Sequence, residues 1–238
     1  MSPGRVVLAA PVVAYISVAP VGGTNTTMTT FKIAIHRVAF IEKPSDEPGF
    51  DWEYFNSAFE NRELDVLELC NAIYLGFAYC PWMDGKRKVE NFKEAQHIAV
   101  DLDTGDKRAD IEELVRHPLV QGYGAIIHET PSHTPYAPRA RVIFPLDEPI
   151  RTAEGYKAAI QVVTELFDGA DPACVDAARF FFGNGKLGFF NHTDGIWFAP
   201  DACLPVSELR RMARLRLQRL RAQQQGQAQS APNIQPSD

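Results

Sequence analysis

The stretch Gln96-His-Ile-Ala-Val-Asp-Leu-Asp103 is an apolar run that ends in two carboxylates, Asp101 and Asp103, one residue apart. A short run of this kind reads as a buried strand, and on a strand the i, i+2 spacing turns both acids to one face. The chain must therefore build a sheet whose core strand has a charged end. Two carboxylates side by side repel, an arrangement tolerated mainly where a hard divalent cation lies between their oxygens. The residues point to a metal site; a solvated strand end leading into Thr104-Gly-Asp-Lys107 is the plainer alternative.

Around this strand the periodicity alternates between helix and sheet. Residues 31–41 read as a strand, 52–79 as largely helical, and Pro81-Trp-Met-Asp-Gly85 as a turn. The acidic first turn of 110–120 predicts a short helix, and 123–130 and 139–146 predict strands. Thr152 is placed to cap a helix running to about Phe167, with Glu154 in its first turn. Residues 206–226 form an Arg-rich helix, and 227–238 are polar enough to expect disorder.

With 238 residues, 45% of them hydrophobic, the chain can bury a core of its own. A formal net charge of −6 excludes a protein coated in positive charge, so any nucleic-acid contact comes from local basic patches. Cys70, Cys80, Cys174 and Cys203 are too widely spaced for a Cys-x-x-Cys zinc pair and suggest reduced thiols in a cytoplasm. The apolar segment 6–21 superficially resembles a secretion signal but is short and interrupted by Pro11 and Pro20. Residues 1–27 are read as an upstream extension, Met28 being a natural start into the first strand. No Gly-x-x-x-x-Gly-Lys-Ser/Thr loop occurs, so any helicase activity belongs to another chain or a further C-terminal part.

Two further clusters carry chemistry. Ser132 and His133 lie in a loop between strands, followed by Arg139 and Arg141 on one strand face with Val142 and Phe144 on the other. The planar fork of arginine suits phosphate oxygens. Farther on, Gly169-Ala-Asp-Pro-Ala-Cys-Val-Asp-Ala-Ala-Arg-Phe-Phe-Phe182 supplies Asp171, Asp176 and Arg179 before an aromatic strand. Either acid can complete a three-carboxylate metal site, although Asp176 and Arg179 also suit a local i, i+3 ion pair.

In this order the Asp-x-Asp pair, the Ser-His loop with its arginines and the acidic segment ending in Asp-Ala-Ala-Arg-Phe-Phe resemble the archaeo-eukaryotic primase superfamily. The similarity spans residues 92–184 and is nearest to primase-polymerases of phages, plasmids, mobile elements and CRISPR loci. It implies an α+β primase-polymerase catalytic fold over 28–205, an RRM-like antiparallel sheet flanked by helices, with an N-terminal α/β portion and the Arg-rich C-terminal helix added. It further implies a template-dependent nucleotidyltransferase acting on a DNA template-primer and nucleoside triphosphates with Mg²⁺ or Mn²⁺. Asp101 and Asp103 match the family's metal-binding motif. Asp171, preferred over Asp176, supplies the third metal acid. His133 matches the phosphate-contacting histidine, though Ser132 and His133 are adjacent where the family separates them by one residue. Arg139, Arg141 and Arg179 join Ser132 and His133 at the nucleotide. Lys86, Arg87 and Lys88, near Trp82 and Phe92, are candidates for a template track. A metal-dependent nuclease and a non-catalytic nucleic-acid-binding relic are the competing readings.

Overall fold

The computed structural model describes residues 30–44, 49–185 and 195–230; the extension expected over 1–27 and the tail beyond 230 lie outside them. The elements run β1 (Phe31–Ala39), α1 (Trp52–Ser57), β2 (Phe59–Leu64), α2 (Val66–Tyr74), β3 (Phe77–Cys80), β4 (Trp82–Met83) and β5 (Phe92–Leu102). Then follow α3 (Ile111–Val115), α4 (Pro118–Tyr123), β6 (Ile126–Glu129), β7 (Ala140–Ile150), α5 (Ala153–Thr164), β8 (Ile196–Phe198) and α6 (Val206–Ser230). The strands make two antiparallel sheets, ordered β2-β1-β3 and β4-β5-β7-β6-β8. The fold is α+β, as the sequence led us to expect.

The strand that carries Asp101 lies inside the larger sheet and is covered on both faces, which is why residues 98–100 are apolar on both sides. Ile98, Val100 and Leu102 pack with Val142 and Phe144 of β7 against Tyr156, Ile160 and Val163 of α5, Leu119 of α4 and Leu209 of α6. The opposite face, with Ala99, Ile143 and Ile126, meets Ile33, Ile35 and Tyr79 of the small sheet and Leu69 and Ile73 of α2. The end of β5 that carries Asp101 is thereby held between two layers.

Local signals place several boundaries. Asp65 and Glu68 form a reciprocal capping box at α2, and the Thr152 hydroxyl accepts from the Gly155 amide, starting α5 where the sequence predicts. The helix expected over 110–120 is split into α3 and α4, because Pro118 forces His117 into an extended conformation with ψ 130°. The largely helical expectation for 52–79 fails more fully. Residues of β2 pair with β1 from Phe31↔Leu64 to His36↔Phe59, and as a sheet edge with mostly exposed or half-buried side chains they show little apolar alternation. Gly76, at φ +91°, makes the tight return from α2 into β3, where a Cβ would strike the Phe40 carbonyl. The aromatic strand expected after Arg179 is an extended segment whose Phe181 exchanges two backbone hydrogen bonds with Tyr79, each 2.9 Å. The last helix continues to Ser230, beyond the expected end at 226. No described helix is long and apolar enough to cross a membrane.

Candidate active site

Strand register sets a row of polar side chains across the larger sheet: Asp101 of β5 stands opposite Arg141 of β7, which stands opposite His128 of β6. All three project into the layer beneath the small sheet, and Asp101 and His128 are buried. Arg141 Nε lies 2.8 Å from Asp101 Oδ1, yet neither atom has an aligned hydrogen bond, so the contact is an ion pair without directional bonding. Arg141 Nη1 donates to the Phe182 carbonyl at 2.8 Å, and its guanidinium lies 4.7 Å from the centre of the Phe181 ring. One residue beyond the strand, exposed Asp103 pairs with Arg139 at 2.7 Å. The sequence anticipates both arginines on one face. The repulsion expected between the two acids is relieved instead by these arginines, one to each carboxylate.

The acidic segment after α5 is stitched to the end of β5. Ala170 bridges Leu102, and the Asp171 amide donates to the Asp101 carbonyl at 2.9 Å. Asp171 Oδ1 accepts from the Ala173 amide at 2.8 Å, leaving Oδ2 to accept from the Cys174 thiol at 3.1 Å. The same thiol lies 3.7 Å from Asp101 Oδ2. Asp101, Asp171 and Cys174 thus offer ligand atoms all within 4.8 Å of one another. Burial and then the Asp101 charge push the Cys174 thiol up to about 12, so it remains a protonated donor between the two carboxylates. Asp176 is exposed and accepts from the Ala178 amide at 3.0 Å, apart from this group. The donor set suits a hard divalent cation through its carboxylates, and buried Asp101 Oδ1 carries charge without a directional partner.

Arg179 lies 5.8 Å from the Phe181 ring that Arg141 also covers, and its buried Nε has no hydrogen-bond partner. Two guanidiniums therefore flank one ring beside the carboxylates. His133 sits in the turn joining β6 to β7: its Nδ1 accepts from the Arg139 amide at 3.2 Å, and its Nε2 is 3.2 Å from Glu129 Oε1. Ser132 is exposed in the same turn. A groove of about 820 Å³ passes His133, lined also by Asp110, Glu112, Glu113, Glu129 and Trp197. Its carboxylates disfavour phosphate there, and Arg141 and Arg179 do not line it.

The basic run lies elsewhere. Lys86 pairs with Glu53, and Lys88 is exposed. Arg87 bonds the Asn56 side chain and, at 2.5 Å, the Ala178 carbonyl, with its guanidinium 4.4 Å from the Phe180 ring. It braces the segment that carries Cys174 and Arg179.

His128 and Cys174 are site residues that residue typing along the chain passes over. His128 Nδ1–H donates to the Glu129 carbonyl at 2.8 Å, and its Nε2 accepts from the Tyr79 hydroxyl at 3.0 Å. Burial, and secondarily the Arg141 charge, push this imidazole down to about 3 and keep it neutral beside the guanidinium. The available signal was a histidine on the core-facing period of an otherwise apolar strand.

No curated protein matches this chain. Among solved structures it is similar to the AEP domain of cyanophage S-2L primase-polymerase, at 11% identity and a TM-score of 0.41, covering 78% of this chain and 89% of that one. It is also similar to primase RepB′, at 14% identity and a TM-score of 0.41, covering 85% of this chain and 62% of that one. Residues 74–208, more than half of the chain, match the VapE N-terminal domain. That span contains Asp101, Asp103, His133, Arg141, Asp171 and Arg179, and it encloses the whole stretch that resembles archaeo-eukaryotic primases. The chain belongs to the VapE N-terminal domain family.

Proposed function

We propose that this protein is a template-dependent nucleotidyltransferase, a primase or polymerase that joins nucleoside triphosphates on DNA. The observation that carries the reading is buried Asp101 beside Asp171, with the guanidiniums of Arg141 and Arg179 gathered over Phe181 at the same spot. Asp101, Asp103 and Asp171 would hold Mg²⁺ or Mn²⁺, which when bound supplies activation of a 3′-hydroxyl and stabilisation of leaving pyrophosphate. Arg141 and Arg179 bind the triphosphate and offset the charge that grows on it. Arg139 steadies its outer end from the β6–β7 turn with Ser132 at the rim, and His133 supports Arg139 by accepting from its amide. Cys174 orients the two carboxylates it contacts, and Arg87 holds Arg179's segment in place. Lys86 and Lys88 border the template path, a role that rests on their charge.

One observation favours a non-catalytic nucleic-acid-binding relic: Asp101 and Asp103 already have cationic partners within the chain. Primer extension on a DNA template, with both nucleotide types and either cation, separates the readings. Nucleotide incorporation that is lost in Asp101→Asn and Asp171→Asn is the expected result. Degradation of the template without incorporation would identify a nuclease, and DNA binding without metal-dependent turnover a relic.

A further inference from the structure

The charges at the site cancel among themselves. Asp101, Asp103 and Asp171 contribute three formal negative charges, and Arg139, Arg141 and Arg179 three positive ones. Two of the arginines are paired one-to-one with carboxylates, at 2.8 Å and 2.7 Å. Such a site has no net attraction for an anion while it lacks cations. Yet it is built for one: Arg179 Nε is buried without a hydrogen-bond partner, and Arg141 Nε faces Asp101 without alignment. Arg141 is also anchored independently of Asp101, by the Phe182 carbonyl and the Phe181 ring, so its guanidinium keeps its place when that carboxylate is neutralised.

We propose that the Asp101–Arg141 and Asp103–Arg139 ion pairs keep an anion site latent, so that cation binding releases the arginines to a triphosphate and the two ligands bind cooperatively. This rests on the nucleotidyltransferase reading and adds to it a defined order of charge exchange. Divalent cations satisfy the carboxylates, the freed guanidiniums leave the site net positive, and the triphosphate offsets that positive charge. The coupling is reciprocal, so triphosphate raises cation affinity by the same factor. Neutralising a carboxylate by mutation should mimic the cation and open the site without metal.

The test is calorimetric titration of the full chain with inorganic triphosphate in excess chelator. Asp101→Asn is expected to bind at least tenfold more tightly than wild type, and exposed Asp103→Asn, which leaves the core intact, severalfold more tightly. Adding Arg141→Met to Asp101→Asn should abolish the gain, which a merely structural change at Asp101 would not do. If neither Asn variant gains affinity while wild type binds triphosphate with Mg²⁺, the latch is wrong and the nucleotidyltransferase reading stands. If wild type fails to bind triphosphate even with Mg²⁺, that reading falls and takes the latch with it. Wild-type binding in chelator as tight as in Mg²⁺ overturns the latch alone.

Discussion

Replacing Arg141 by Met tests the site through stability rather than turnover. The Arg141 and Asp101 side chains are only 12% and 10% exposed, so the substitution leaves a nearly buried carboxylate with no neutralising charge. Breaking a buried pair from one side costs about 3–5 kcal/mol, and the solvent that reaches exposed Asp103 and half-buried Asp171 beside it places this site at the lower end, about 3 kcal/mol. For a chain of this size each kcal/mol moves the melting temperature by about 2–4 °C, so a fall of roughly 6–12 °C is expected in chelator. Two internal controls follow from the same electrostatics. Saturating Mg²⁺ should recover more of the loss in Arg141→Met than it adds to wild type, since a cation takes over the missing charge. The Asp101→Asn/Arg141→Met double variant should melt above Arg141→Met alone, because no buried charge is left unpaired. Scanning fluorimetry with and without chelator measures all of these. A fall below about 2 °C, or a double variant no better than the single, would refute the view that these two side chains neutralise each other.

Asp171→Asn should abolish nucleotide incorporation in a primer-extension assay, whereas Asp176→Asn should retain it within about threefold, or less than 1 kcal/mol, because only Asp171 shares the cluster with Asp101. His97 and His128 are held neutral by burial at about 4 and about 3, against an ordinary 6.5, so unfolding takes up protons below pH 6.5. Stability is complete above that pH and declines toward pH 4, by at most about 1.4 kcal/mol per pH unit for each proton; denaturant midpoints in His97→Gln should show a shallower decline. Val206 and Leu209 are core residues, so α6 should be cut after Leu217 rather than at its start. The truncated chain should fold, bind DNA more weakly and lose about 1.5 units of salt slope with Arg219 and Arg221; an unchanged slope excludes the helix as a nucleic-acid arm. Gly76→Ala should lower stability by more than about 1 kcal/mol in chemical denaturation, since its positive φ and the nearby Phe40 carbonyl both exclude a Cβ.

Much of the architecture is legible along the chain because the forces that specify it act over a few residues. The period of two in 98–103 and 139–146 marks β5 and β7, Thr152 marks the start of α5, and the proximity of Asp101 to Asp103 is a property of any strand. Where a segment takes its shape from a distant partner, local reading fails. The strand β2 is drawn out of a helix-like stretch by pairing with β1, and Pro118 divides a pattern that apolar spacing alone would run together.

By itself the sequence determined a mixed α and β core, two acids on one face of a buried strand, and two arginines on one face of another. Only the tertiary structure decided that those faces are the same face. The register of β5 on β7 sets Asp101 against Arg141 across about forty intervening residues, and no spacing rule encodes which charge a strand will meet. The closure of the acidic segment onto the end of β5 likewise set Asp171 and Cys174 beside Asp101 and left Asp176 apart. Ion pairs and ligand clusters form between whatever side chains folding brings within a few ångströms, and that proximity is fixed by how the layers pack and register, a global condition on the chain.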